Sequence, residues 1–234
     1  MGVIRERTRS RAASGHAVAG ATAVLTFLLV LIWTGWTPER WVDVDSAKAD
    51  SWNWRLSIAS ADASLVLLAV TLGIGPVRVL RGGRPRTHIP ARRAFGVWSG
   101  GLALIHVAFA LFIHAEPIRV WSNWVTANPF GPLGGYRGLA NWLGLVQVAL
   151  VLVLLWLSRD TALRKLGAPI WKRLQRSVYV LGVLVAMHAL LYQLVEDRLL
   201  VHSVALGAVI ATAGALQLGG AWAFRGRGKI EASR

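Results

Sequence analysis

Two of the six histidines lie inside long apolar stretches. His106 sits in RRAFGVWSGGLALIHVAFALFIH, residues 92–114, and His188 in WKRLQRSVYVLGVLVAMHALLYQL, residues 171–194. The second stretch, a basic Trp-anchored edge that turns apolar, is the one the chain is organised around. A polar, ionisable ring inside a membrane-length segment is costly to bury, so its presence asks for a purpose. Depth relates the two rings. His106 lies ten residues inward of Glu116 and His188 eight inward of Glu196, which is about 15 Å and 12 Å at the helical rise. Both segments run in the same direction across the membrane, so the two imidazoles stand at matched depth in its outer half. Two neutral imidazoles facing each other across a helix bundle are what a bis-histidine haem b requires. The same pattern also suits two polar residues hydrogen-bonding across helices. A proton path fits less well, because Asp62 is the one carboxylate clearly inside a span.

The remaining histidines divide by position. His16 and His88 fall at the basic edge and carry no expected role. His114 and His202 fall near the outer surface, where they cap helices or touch headgroups, and both are secondary candidates for the site. Arg55 and Arg137 lie near the same edge and are candidates for pairing haem propionates. Small residues beside the two central histidines (Gly101, Ala103, Ala110, Ala186 and Ala189) leave room for a planar macrocycle.

The elements that must position these residues are apolar blocks at about 16–36, 54–77, 95–115, 139–157, 174–195 and 199–224. Each is long enough to cross a hydrocarbon core of about 30 Å. Lys and Arg alternate between the connecting segments. The N-terminal tail, 78–93, 159–176 and the C-terminal tail hold 20; 37–53, 116–137 and 196–198 hold 5. By the positive-inside rule this gives six spans with both termini cytoplasmic, in the inner or plasma membrane. The expected fold is an all-α, six-helix integral membrane bundle over 16–224, with basic tails at 1–15 and 225–234. Trp33, Trp36, Trp52, Trp54, Trp121, Trp124 and Trp142 form an outer belt, and Trp98, Trp156, Trp171 and Trp222 an inner one. Gly96 and Gly100 make a small-xxx-small pair that admits a neighbouring helix. The segment 116–137, rich in Gly and Pro, is long enough to fold back over the bundle as a lid.

Composition closes off other chemistry. The chain is 55% hydrophobic with a mean hydropathy of +0.50 and a net charge of +15. The charge is explained by topology, and no nucleic-acid motif accompanies it. There are no cysteines, which removes disulfides, cysteine-ligated iron–sulfur clusters, covalent haem attachment and thiol catalysis. No GxGxxG or P-loop motif is present, so a flavin or nucleotide would belong to a separate partner.

The segments RRAFGVWSGGLALIHVAFAL (92–111) and WKRLQRSVYVLGVLVAMHALLYQL (171–194) resemble the ferric-reductase-like transmembrane domain superfamily. Within it they are most similar to the haem-binding membrane subunit of the bacterial periplasmic methionine sulfoxide reductase system. The similarity extends more loosely over 54–222. It implies a six-helix b-type haem electron carrier, an iron-containing oxidoreductase subunit, with His106 and His188 as the axial ligands. That subunit carries another histidine thirteen residues before the later ligand. Here Gln175 stands in its place, and Arg93 occupies the matching position before His106. The resemblance therefore implies one haem, in the outer half. Single electrons would arrive from a quinol or a flavoprotein and leave to an outer acceptor protein. A different class of function keeps the same fold: a haem-free or haem-sensing membrane scaffold for a partner. A small transporter is disfavoured, since no paired broken helices appear.

Overall fold

The computed structural model describes residues 2–36, 52–83, 89–113, 135–195 and 200–232, with the side chains of 2–12, 34–36, 89, 113, 135, 137, 195, 201 and 227–232 outside the description. The described chain is all-helical: α1 Gly2–Trp36, α2 Trp52–Leu80, α3 Ile89–Ile113, α4 Gly135–Leu157, α5 Asp160–Gln175, α6 Ser177–Val195 and α7 Leu200–Ala232. Six helical stretches are long and apolar enough to cross a membrane. Helices satisfy every backbone N–H and C=O within the segment, which hydrocarbon demands. Hydroxyls inside the spans follow the same rule. Ser60 donates to Leu56 O at 2.6 Å and Thr71 to Leu67 O at 2.7 Å. Leucine, valine and tryptophan side chains stand exposed along α1, α4, α6 and α7. A surface that apolar is stable only against lipid, and the protein is a multi-pass membrane protein.

Side-chain bonds fix the order of neighbours. Ser57 meets His106 and Ser64 meets Ser99, so α2 and α3 run antiparallel. The Ser64–Ser99 contact is reciprocal, each hydroxyl donating to the other's carbonyl at 2.9 Å. Asn141 meets Tyr192 and Gln147 meets Leu184 O, so α4 and α6 are antiparallel too. Asp62 meets His202 and Gln217 meets Leu72 O, so α2 and α7 are parallel. These directions are those of six alternating spans.

The hub is α2. It is the most buried span and packs against α1, α3 and α7. A small core of Ala23, Ala63, Leu67 and Leu102 marks its crossing with α1 and α3, with Phe27 and Phe95 against it. The sequence instead placed the centre of organisation at 171–194. α7 approaches α2 closely at Gly220, where an added Cβ would lie 2.7 Å from Pro76 Cβ and 2.8 Å from its Cα.

The connecting segment 159–176 forms the helix α5. Asp160 stands in its first turn and Lys172 and Arg173 in its last, which suits the helix dipole. Gly167 breaks it with φ 72°, and Pro169 follows. Trp171 Nε1 donates to Leu157 O at 2.8 Å and ties α5 back to the end of α4. Trp54, expected in the outer belt, is buried at 4% exposure. Trp33, Trp52, Trp142, Trp156 and Trp222 are exposed as a belt requires.

Candidate functional site

The bundle divides into two tight helix pairs. α3 packs chiefly on α2, and α6 chiefly on α4. A cavity of about 610 Å³ lies between the pairs, and His106 and His188 both line it. Cofactor sites occupy cavities of roughly 300–1,000 Å³. The rings enter from opposite pairs, and each is held by the partner helix of its own pair. His106 Nδ1 lies 3.0 Å from Ser57 O and 3.0 Å from Ser57 Oγ. His188 Nδ1 lies 2.8 Å from Ala140 O.

A carbonyl oxygen only accepts, so Nδ1 is the protonated nitrogen in both rings and donates. The lone pair then sits on Nε2. Metal-binding imidazoles are usually oriented in this way, with one nitrogen held by a carbonyl. Ser57 is the sixth residue of α2 and Ala140 the sixth of α4.

Side-chain size shapes the slot. A Cβ added at Gly144 would lie 3.3 Å from His188 Cε1, so the missing side chain lets that ring lie against α4. Tyr192 stands 5.0 Å from His188, ring centre to ring centre, and donates to Asn141 Oδ1 at 2.7 Å. Gly96 and Gly100 both line the cavity. An added Cβ would meet Thr71 of α2 at 3.6 Å from Gly96, and Leu155 of α4 at 3.0 Å from Gly100. The pair therefore serves two neighbours rather than one. Ala103, Ala110 and Ala189 line the slot as expected, whereas Gly101 and Ala186 do not.

Two imidazoles line one largely apolar cavity, each with Nδ1 on a backbone carbonyl, and His106 and His188 are the residues that would hold a haem there. Among the described residues no three His, Asp or Glu side chains gather for an all-protein metal centre.

The other candidates scatter. His202 is buried at 6% rather than exposed to headgroups. Its Nε2 lies 3.1 Å from Asp62 Oδ2, and both residues line the cavity. Asp62 is the eleventh residue of α2 and His202 the third of α7, so α7 begins level with the interior of α2. The linear depth count missed this. Arg55 lies over the Trp52 ring, 5.7 Å from its centre, and does not line the cavity. His114 and the 116–134 lid segment fall outside the described residues, as does the side chain of Arg137. At the basic end, Arg92, Arg93, Gln175 and Arg176 line the cavity. Arg93 pairs with Asp160 at 2.6 Å, and its guanidinium holds that carboxyl below the ordinary carboxylate range. The sequence missed Ser57, Ala140, Gly144, Gln147 and Tyr192. The spacing four residues apart of Tyr192 and His188 on one helix face was the available signal for one of them.

Fold and cavity define a multi-pass helical membrane protein with a histidine-lined interior slot. Over 131 residues the chain is 29% identical to the magnetosome protein MamZ of Magnetospirillum gryphiswaldense and 28% identical to the magnetosome protein MamZ of Paramagnetospirillum magneticum. The matched part is 56% of this chain, and the chain covers 18% of the length of each relative. No family model and no solved structure matches the chain.

Proposed function

We propose that this protein is a membrane b-type haem electron-transfer protein of the ferric-reductase-like kind, with His106 and His188 as axial ligands. The observation that carries the reading is the placement of both rings on one cavity, each with Nδ1 bound to a carbonyl of its partner helix. When bound, haem supplies a one-electron couple; the protein supplies position, electrostatics and exclusion of water. α2 and α4 orient the rings, and Gly144 admits His188. Both termini face the cytoplasm, following the distribution of basic residues. The ligands then lie in the outer half, and the acceptor is an outer small molecule or partner reductase. His188 stands twelve residues from Arg176, about 18 Å from the inner edge. That distance favours a membrane quinol as donor over a separate cytoplasmic flavoprotein. The basic mouth with Gln175 and Arg93 supports one haem instead of two.

A second reading, a haem-free or haem-sensing scaffold, draws support from that same loss of an inner imidazole. A dithionite-reduced minus oxidised spectrum with pyridine-haem quantitation separates them. One low-spin b-type haem per chain, lost in His106→Ala and in His188→Ala, is the expected result. No haem after expression with haem supplied would overturn the electron-transfer reading in favour of the scaffold.

A further inference from the structure

A second polar cluster lines the same cavity. Asp62 of α2 and His202 of α7 meet at 3.1 Å, through Oδ2 and Nε2. On its other side, His202 Nδ1 lies 3.3 Å from Gln193 Oε1, and Ser203 Oγ donates to that same oxygen at 2.9 Å. The amide oxygen accepts, so Nδ1 carries a proton. A hydrogen bond between Nε2 and the carboxylate then needs a second proton, shared between them. With it the pair is neutral overall. Without it the pair carries one negative charge and sets a lone pair against a carboxylate, inside an apolar bundle. A buried net charge is stable only where an opposite charge lies near it in low dielectric. The group held by His106 and His188 carries one more positive charge oxidised than reduced. It shares this cavity with the pair.

We propose that Asp62 and His202 form a proton-loading pair. It takes one proton from water when the group held by His106 and His188 gains one electron, and returns it on reoxidation. The proposal rests on the haem reading. The electron comes from a one-electron reductant, the proton enters the Asp62–His202 hydrogen bond, and the charge inside the bundle is unchanged. Among the described residues, the other titratable groups that line the cavity away from its basic end are His106 from α3 and His188 and Tyr192 from α6; Arg92, Arg93, Arg159, Asp160, Lys172, Arg176 and Tyr179 line it toward that end. α4 contributes Asn141 and Gln147, which do not titrate, and no described residue of α1 lines the cavity. Both candidate ligands have Nδ1 on a carbonyl and would present Nε2 to the haem, and a tyrosine ordinarily titrates near about pH 10.

The test is a spectroelectrochemical titration of the haem-loaded full chain across about pH 5 to 8, the window in which imidazole titrates. In the wild type the midpoint falls with pH, toward the limit of about 59 mV per unit that a tenfold change in a one-electron equilibrium represents. Reduction in weak buffer with an indicator dye takes up protons. In Asp62→Asn the slope flattens and the uptake disappears, while the absorption bands stay in place. His202→Gln behaves likewise and serves if the first variant does not fold. A flat wild-type midpoint without proton uptake overturns the proposal with no variant needed, and so does an undiminished slope in Asp62→Asn. Absence of any reducible band overturns the haem reading and this proposal together, and shows as missing absorbance rather than as a flat slope.

Discussion

Gly144 sets the position of the His188 ring more directly than any side chain does. An alanine there places its Cβ 3.3 Å from Cε1, a gap that a few tenths of an ångström of ring movement relieves. A valine adds two methyls in the same direction and drives the ring off Ala140 O. Gly144→Ala is therefore expected to keep most of its haem, and Gly144→Val to lose more than half, as read by pyridine-haem content per chain. Equal haem in both would mean that the ring does not depend on this gap. At this scale the sequence showed the two rings inside their spans, because charge and apolar counts fix where a residue sits along a helix. It did not show their holders. Ser57 and Ala140 act through backbone carbonyls, and a carbonyl is the same in every residue. Nor did it show the Asp62–His202 contact, because depth counted from a helix end assumes that all spans start at the same level.

Between elements, close approach is set by the residues that have least to offer. Gly220 faces the backbone of Pro76, and nothing flexible can move aside. Gly219, one residue away, would place a Cβ 3.9 Å from Leu80, an ordinary contact. Gly220→Ala is expected to separate α2 from α7 at a cost of about 1–3 kcal/mol, and Gly219→Ala to be nearly silent. Thermal unfolding of the two variants in the same detergent checks this, and equal melting temperatures would contradict the packing described here. The spans themselves were legible to within a few residues, since hydrocarbon leaves the backbone no alternative to helix. α5 was not. Six Lys and Arg from 159 to 176 read as a loop, whereas alternating charge and apolar side chains also make a helix that lies at an interface. The central position of α2 was missed for a related reason. Ser57, Ser64 and Asp62 of α2 bind its neighbours, and an apolar count gives such residues no weight.

For the molecule as a whole, direction in the membrane is the property to measure. The chain has no cysteine, so single cysteines can be introduced without removing any background. A cysteine in the basic tails at 1–15 or 225–234 is expected to resist a membrane-impermeant maleimide applied to intact cells. One in 37–53 is expected to react. The reverse pattern would invert the topology and place His106 and His188 in the inner half, exchanging the sides of donor and acceptor.

The division of the bundle into two pairs also bears on how it is made. α2 and α3 are consecutive in the chain and lock through the reciprocal Ser64–Ser99 bonds. α4 and α6 follow, joined through α5. Each pair can close on itself as it leaves the ribosome, and neither needs the other to satisfy its own histidine. The slot does not exist until both are in the bilayer, so any group it takes up would meet two halves that are already formed.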